Sequence, residues 1–308
     1  MTEPSPTTRA GVAVVVATRD RPVLLRRTIE SILSQAYDGP IEMIIVFDRS
    51  EPDESLIRSD PDRSVRITTN VNTPGLAGAR NSGIALVDKP WVAFCDDDDE
   101  WLPGKLTAQM DDLERTGSKF SMTGSLVNYR GEDHVRRADA SEVNKTGLLH
   151  SRIFEIPSSS FVIDTELVRD ELGGIDEALP GSYGEDYDLM LRAADKTSLS
   201  VVEDPLCRVY WHGSSFFFER WKLIDEALEY MLGKFPEFDT APKGKARIVG
   251  QRAIAQAEIG DRKKALGSVR DVVKLNWREP RWPLALLVMA GMPANLILKV
   301  LHRFGKGI

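Results

Sequence analysis

The chain has 308 residues, 42% of them hydrophobic and 28% charged, an ordinary globular composition that can bury a large core in one or two domains. Its formal charge of −7 is unevenly spread, because residues 222–308 carry 16 Lys and Arg against 9 Asp and Glu, whereas residues 1–221 carry 24 against 38. The acidic front argues against nucleic acid as the main ligand, and two widely spaced cysteines argue against zinc and favour a reducing compartment.

The N-terminal segment is polar and rich in Pro, Ser and Thr, without the apolar core of a signal peptide. We therefore expect a flexible tail over residues 1–10.

From residue 11 onward, strand and helix signals alternate. Apolar, β-branched runs predict buried strands at 11–17 and 41–47, a shorter third strand at 65–68 and a fourth at 91–95. Helical periodicity lies between them, at 23–35 and 77–87. This alternation predicts a parallel, right-handed doubly wound sheet, whose ligands bind beyond the carboxyl ends of the strands. The loops at Thr18, Asp48 and Asp96 should therefore meet in one crevice.

The rest of the chain divides into a mixed part and a helical part. Further strands are predicted at 119–128, 161–163, 199–202 and 206–211, and helices at 104–116, 166–171 and 185–194. Residues 129–147 predict either a hairpin or a mobile loop. After residue 214 almost every signal is helical, at 216–233, 244–259, 261–275, 282–290 and 294–303. We therefore expect one domain over 11–214 and a helical region over 215–308.

The most informative segment is the run of four aspartates at 96–99, which follows the apolar strand signal directly. Several carboxylates at one strand end are costly unless water, a cation or a cationic partner compensates them. Mg²⁺ and Mn²⁺ prefer such oxygen ligands and also bind phosphates. The alternative is a solvated acidic turn, which is the usual fate of a charge run.

Four further features each have a functional and an ordinary interpretation. Asp48 follows the second strand and could accept an N–H from a base, or cap a turn. Arg80, near a helix start, could pair with a phosphate or with the acidic run. Glu185 and Asp186 head a helix, where acids serve as a general base or merely favour the helix dipole. His212 could bind a metal or phosphate, or be a satisfied loop histidine.

Taken together and in this order, these motifs resemble family 2 glycosyltransferases of the GT-A fold. The matching segments are 12–22, 44–50, 78–83, 94–101 and 185–192, and the resemblance spans about residues 11–214. It implies an α/β nucleotide-diphospho-sugar transferase fold, with a Rossmann-like, mostly parallel sheet flanked by helices and an all-helical C-terminal extension. It also implies inverting transfer from a UDP-sugar to a hydroxyl of a glycan or lipid-linked acceptor, in polysaccharide or glycolipid biosynthesis, with Mn²⁺ or Mg²⁺.

The resemblance also implies roles for individual residues. Those expected to line the nucleotide and sugar are Ala17, Thr18, Arg19, Asp48, Arg80, Asp96 and Asp97. Asp98 and His212 would bind the metal, although four consecutive aspartates leave that assignment open by one position. Asp186 would be the general base, with Glu185 shaping the acceptor side. Phe47 and Arg19 depart from the family pattern, which usually has an aspartate and a tyrosine there.

The C-terminal segment 281–303 combines apolar residues with Trp, Arg and Lys. This suits an interfacial helix at an anionic membrane, a helix packed on the catalytic domain or a homodimer contact. We expect a cytoplasmic protein, with peripheral contact at the inner face of the membrane as a further hypothesis.

Two other functions stay open. A non-catalytic nucleotide-sugar-binding protein would need a broken base or metal site, yet Asp98 and Asp186 are both present. A nucleotidyltransferase would need a glycine-rich phosphate loop after the first strand, and residues 18–22 contain no glycine.

Overall fold

A computed structural model describes residues 9–211 and 220–297. The chain divides into two compact units. The first is drawn from Met1–Asn144, Ile153–Glu177 and Leu189–Trp211. The second is drawn from Lys145–Arg152, Ala178–Asp188 and His212–Ile308. The boundary expected near residue 214 stays a prediction.

The first unit begins with four parallel strands and the helices that connect them. In chain order these are β1 (Val12–Thr18), α1 (Pro22–Leu33), β2 (Ile41–Phe47), β3 (Arg63–Thr69), α2 (Leu76–Ile84) and β4 (Trp91–Phe94). The strands lie in the order β3-β2-β1-β4. All seven residues of β2 are buried, as its continuous apolar run predicts for a strand covered on both faces.

The same sheet continues with shorter and antiparallel elements. They are β5 (Glu100–Trp101), α3 (Lys105–Thr116), β6 (Phe120–Tyr129), β7 (Glu132–Arg136), β8 (Val162–Asp164) and β9 (Leu199–Tyr210). From β4 the order runs through β8, β6 and β9 to β5, and β7 pairs with β6. Only β6 and β9 are parallel neighbours here. Within the described residues the sheet has nine strands and is parallel in its first half and mixed in its second.

One prediction in this region is wrong and one alternative is decided. Residues 199–210 form a single strand and not two, although Pro205 interrupts the apolar pattern. The register of β9 against β6 shifts around Gly124, which faces Pro205. Such an irregularity accommodates a residue that lacks a backbone donor. Residues 129–147 begin as the β6–β7 hairpin, which was one of the two structures expected there.

Helix α2 packs unusually close to the sheet. A Cβ atom placed on Gly83 would come within 2.4 Å of the Val15 side chain, a distance that real side chains do not tolerate. A glycine is therefore required at this point. It allows the buried helix that carries Arg80 to lie directly against β1.

The second unit is helical. It contains α4 (Lys145–His150), the start of α5 (Glu185–Ala193), α6 (Trp221–Lys234), α7 (Pro242–Glu258), α8 (Arg262–Asn276) and α9 (Arg281–Met289). Its core is built around Ala253 and Ile254 of α7, with Ala265 and Val269 of α8. Of the helix predicted at 294–303, residues 294–297 are described and are helical.

Within the described part of the chain, no helix combines the length and the apolar character needed to cross a membrane.

Candidate functional site

The loops that follow β1, β2 and β4 meet at the carboxyl ends of these strands, as expected. The N–H of Asp48, which follows β2, donates to the carbonyl of Thr18 at 3.0 Å. The Thr18 hydroxyl donates to a carboxylate oxygen of Asp97, after β4, at 2.7 Å. Three loops far apart in sequence therefore meet, as the parallel topology predicts. We call this set, together with Arg21, Arg80, Asp96 and Asp98, the strand-end site.

Two arginines neutralise part of the acidic run. Arg80 is only 1% exposed and donates to Asp96 at 2.6 Å and to the Ser158 hydroxyl at 2.9 Å. One Nη atom of Arg21 donates to Asp97 at 3.0 Å and to Asp98 at 2.7 Å. The predicted pairing of Arg80 with the run is therefore observed. The chain supplies much of the required positive charge itself.

Arg21 was missed by the sequence analysis, which singled out Arg19. The Arg19 side chain is half exposed, and its Nε lies 3.7 Å from a carboxylate oxygen of Asp20. Asp20 has a positive φ of 56°, which turns the chain sharply before helix α1. Ala17 is half-buried near the end of β1. The proximity of Arg21 follows from this turn, which the residue pattern did not predict.

Asp99, the last aspartate of the run, and Glu100 after it are paired within the protein. Asp99 is buried and accepts a hydrogen bond of 2.6 Å from the Ser159 hydroxyl, which itself accepts from the N–H of Asp96 at 3.0 Å. Glu100 lies in β5 and pairs with Arg27 at 2.8 Å and with Arg208 at 3.2 Å. Ser159 therefore fixes the backbone at the first aspartate to the side chain of the last.

Burial dominates the protonation behaviour of the acidic run. Burial raises the pKa of Asp97 despite the hydrogen bond from Thr18 and the charge of Arg21. Burial and then the charge of Asp96 raise the pKa of Asp98 to about 6, with Arg21 opposing both. A raised carboxyl pKa means that the ionised form is disfavoured. The arginines therefore do not fully compensate the negative charge.

The residues fit a divalent cation of the kind that also binds phosphates. Asp96 and Asp98 keep 37% and 21% of their side chains exposed, so their hard oxygen atoms can be reached from solvent. Among the described residues, no three His, Cys, Asp or Glu side chains converge to form a closed cation cage. Mg²⁺ typically takes one or two carboxylates, and water and substrate phosphates supply the rest. His212 lies outside the described residues.

Asp48 is held in place by its own loop. One carboxylate oxygen accepts from the Asn70 amide at 2.9 Å and from the N–H of Gly75 at 3.2 Å. The other accepts from Arg49 at 3.0 Å. Although burial would raise the pKa of Asp48, these hydrogen bonds lower it, so the carboxylate stays ionised. A ligand donor would share or replace the Arg49 contact.

Asn81 of α2 joins this helix to the segment before α5. Its amide nitrogen donates to the carbonyl of Ile175 at 2.9 Å, and its amide oxygen accepts from the N–H of Ile175 at 2.8 Å. Gly174 has a positive φ of 81°, and a Cβ atom there would lie 2.5 Å from the Asn81 oxygen. The asparagine in the sequence motif at 78–83 therefore binds backbone.

Asp186 and Glu185 begin helix α5, in the second unit. One Nη atom of Arg152 donates to both carboxylate oxygens of Asp186, each at 2.8 Å. Glu185 is buried beside this pair and adds to the negative field that raises the pKa of Arg152. Arg152 was not found from the sequence, because it lies between residues 147 and 161, where no element was predicted.

The chain is similar to known proteins in sequence and in fold. The family model described as "Glycosyl transferase family 2" matches residues 13–165. WfaP of Escherichia coli is named UDP-Glc:alpha-D-GlcNAc-diphosphoundecaprenol beta-1,3-glucosyltransferase. It is 28% identical to this chain over 189 residues, which are 60% of this chain and 70% of that protein.

Two solved structures have a similar fold. TarS 1-349 of S. aureus, in complex with UDP-GlcNAc, has a TM-score of 0.63 at 18% identity and covers 86% of this chain and 81% of its own. The mannosyltransferase PcManGT of Pyrobaculum calidifontis, in complex with GDP-Man and Mn²⁺, has a TM-score of 0.57 at 16% identity and covers 93% and 81%. The predicted GT-A fold class, with its C-terminal helices, is confirmed.

Proposed function

The chain belongs to glycosyl transferase family 2, and on that premise we propose that it transfers a sugar from a nucleoside diphosphate donor to a hydroxyl of a glycan or lipid-linked acceptor. The observation that carries this proposal is the strand-end site, where Thr18, Asp97 and Asp98 meet with Arg21 beyond parallel strands. Such an edge suits a ligand with a nucleoside at one end and a charged diphosphate at the other.

Asp98 is the proposed cation ligand, with Asp96 beside it. The burial of Asp98 and the repulsion that it experiences from Asp96 support this assignment, as does the Mn²⁺ in the PcManGT complex. A bound divalent cation would stabilise the charge that develops on the leaving diphosphate. The described residues meanwhile orient the donor: Asp97 stays fixed by Thr18, and Arg80 anchors Asp96.

Ala17, Thr18, Arg19 and Asp48 are proposed to line the nucleotide. Asp48 is ionised and placed at the end of β2, so it could accept an N–H from a base such as uracil. UDP as the carrier is supported by two similar proteins, one named for UDP-Glc and one solved in complex with UDP-GlcNAc.

Asp186 is the proposed general base. A carboxylate has about four lone-pair positions, and the observed contacts with Arg152 and with the N–H of Tyr187 leave room for an acceptor hydroxyl. The carboxylate would remove the hydroxyl proton as that oxygen attacks the anomeric carbon and the bond to the diphosphate breaks. Direct displacement inverts the anomeric configuration. Glu185 is proposed to shape the acceptor side.

A lipid-linked acceptor is supported by the diphosphoundecaprenol in the name of the E. coli relative. This acceptor class fits a cytoplasmic enzyme that works at the inner face of the membrane. The contact of the C-terminal helices with that membrane, and a homodimer, also remain proposals.

The test is a panel of nucleotide sugars incubated with the full chain, Mn²⁺ and a diphospholipid-linked sugar acceptor. We expect release of nucleoside diphosphate together with an elongated acceptor. NMR should show that the anomeric carbon of the transferred sugar has the configuration opposite to that in the donor. Release of a sugar 1-phosphate from the donor would instead indicate transfer of the nucleotidyl group, as in a nucleotidyltransferase. Saturable donor binding without any turnover across the panel would identify a non-catalytic binding protein.

A further inference from the structure

The outer side of helix α8 carries an unusual surface. Residues 262–278 expose the basic side chains of Arg262, Lys263, Lys264, Arg270, Lys274 and Arg278, against one exposed acid, Asp271. The same stretch exposes Leu266, Val273 and Trp277, which are 43%, 41% and 66% exposed. We call these exposed residues the α8 face.

The arrangement along the helix is regular. Leu266, Arg270, Val273 and Trp277 are separated by four, three and four residues, so they follow one line along the helix axis. Trp277 keeps helical backbone angles directly after the last residue of α8. The opposite side of the helix, with Ala265, Val269 and Val272, is buried in the core of the second unit. The exposed apolar side chains Leu266, Val273 and Trp277 therefore lie outside the core of this unit.

We infer that the α8 face is a docking surface for an anionic lipid bilayer. An apolar row ending in tryptophan and flanked by lysine and arginine fits the boundary between headgroups and acyl chains. Anionic headgroups would compensate the excess of basic side chains. The attachment would be peripheral, through one side of a helix whose other side is buried in the protein.

Charge favours the bilayer over a second copy of this chain. A twofold contact would place the same basic row opposite itself, and like charges would repel across the interface. The observed ion pairs relieve little of this charge, because Lys274 lies 4.0 Å from Asp271 and Lys264 lies 3.6 Å from Asp261. Arg278 stacks 5.2 Å from the Trp277 ring and stays exposed.

This inference rests on the membrane contact proposed above and assigns it to α8, whereas the sequence suggested the later segment 281–303. Its test does not require transferase activity. The full chain is sedimented with vesicles of phosphatidylcholine and phosphatidylglycerol, and with vesicles of phosphatidylcholine alone. Transfer to a water-soluble acceptor is measured separately, so that a failure of docking is distinguishable from a failure of catalysis.

The informative variant is Arg270→Glu with Lys274→Glu. Each basic side chain near an anionic surface contributes about fivefold to the partition coefficient, so we expect a loss of about 25-fold or more. The matched control is Lys222→Glu with Lys243→Glu, two exposed lysines on α6 and α7 with the same change of charge. The control should retain far more of the binding. If circular dichroism shows that the double glutamate variant does not fold, Arg270→Gln with Lys274→Gln is used in its place.

Trp277→Ala tests the apolar part and should weaken the binding that remains in high salt. Equal affinity of the wild-type chain for both kinds of vesicle would overturn the inference. An equal loss in the control pair would do the same. A solution dimer that Trp277→Ala dissociates would assign the face to a second copy instead.

Discussion

Arg152 holds Asp186 by both carboxylate oxygens, each 2.8 Å from the same Nη atom. The two side chains are 23% and 13% exposed, so the pair is largely screened from water. This geometry orients the proposed base, so Arg152 is a positioning residue for Asp186.

Asp186→Asn should abolish transfer and leave donor binding intact. The amide keeps the size of the side chain but cannot accept the proton, and loss of a general base typically costs about 10²- to 10⁴-fold in kcat. Turnover and the Kd for UDP, by calorimetry, provide the two readouts. Asp239→Asn, an exposed carboxylate of the same unit, is the control. Near-normal turnover of Asp186→Asn would reject the assignment.

The pair should also contribute to stability. Arg152→Met leaves the Asp186 charge without its cation, and breaking a mostly buried pair from one side costs about 2–4 kcal/mol. The double variant Arg152→Met, Asp186→Asn should lose less than the sum of the single variants, with a coupling of about 1–3 kcal/mol. Urea unfolding of all four proteins measures the cycle. Strict additivity would show that the two side chains do not interact in solution.

Asp98→Asn should weaken UDP binding at least about tenfold in the presence of Mn²⁺ and have little effect in its absence, since a lost cation ligand acts only through the cation. Asp97→Asn is the matched comparison. It removes the charge that faces Arg21 and leaves a single oxygen to accept from Thr18 or Arg21, so it should weaken binding equally with and without Mn²⁺. If Asp97→Asn showed the Mn²⁺-dependent loss and Asp98→Asn did not, Asp97 would be the metal ligand instead of Asp98.

Ser159→Ala should destabilise the protein by about 1–3 kcal/mol, because the buried Asp99 carboxyl group loses the hydrogen bond that Ser159 donates to it. It should also weaken UDP binding, because the Ser159 hydroxyl accepts a hydrogen bond from the N–H of Asp96 and so holds the backbone of the strand-end site. Ser160→Ala is the control: that hydroxyl is equally buried and donates only to the Pro157 carbonyl. Thermal melts and UDP titrations of both variants separate the two effects. Equal UDP affinity in both would limit Ser159 to a role in stability.

Lys105 predicts a pH dependence of stability. Burial lowers its pKa from 10.5 to about 7, and its Nζ donates to Gln109 at 2.6 Å. Between these values the unfolded chain binds a proton that the folded chain does not, so this lysine makes stability rise with pH, by about 1.4 kcal/mol per unit at most. Below about pH 7 the full penalty is present, and above the unfolded pKa it is absent.

Lys105→Met removes this slope and keeps a similar volume. The Gln109 oxygen loses its partner at every pH, which lowers the free energy of unfolding by the same amount across the pH range and by itself leaves its slope unchanged. Urea unfolding of both proteins across neutral and alkaline pH gives the difference. Parallel curves for wild type and variant would show that Lys105 keeps an ordinary pKa in the folded protein.

The sequence predicted the first half of the fold well because burial on both faces leaves a readable pattern. Strand β2 is apolar at six of its seven positions, and its end is marked by the polar residues that follow Phe47. Strand β9 was misread as two strands, because pairing with β6 continues across Pro205. Ladder hydrogen bonds to a distant strand have no local signature.

Part of the site was predictable in the same way. Thr18, Asp48 and Asp97 come together because parallel strands end at one edge, and topology alone requires it. The partners of these acids were not predictable. Arg21 reaches the acidic run after a turn at Asp20, and Arg152 meets Asp186 from a segment without a periodic pattern. Charge composition showed that compensation was needed but could not identify the compensating residues.

The Asn81 amide pairs with Ile175 as one peptide group pairs with another. The N–H of Ile175 is thus sheltered by a side-chain rotamer and not by a ladder between strands. Its exchange with solvent deuterium therefore follows the rotation of one amide, without unfolding of a strand or a helix. The exchange rate of the Ile175 amide proton therefore reports whether Asn81 of helix α2 is hydrogen-bonded to the segment before α5.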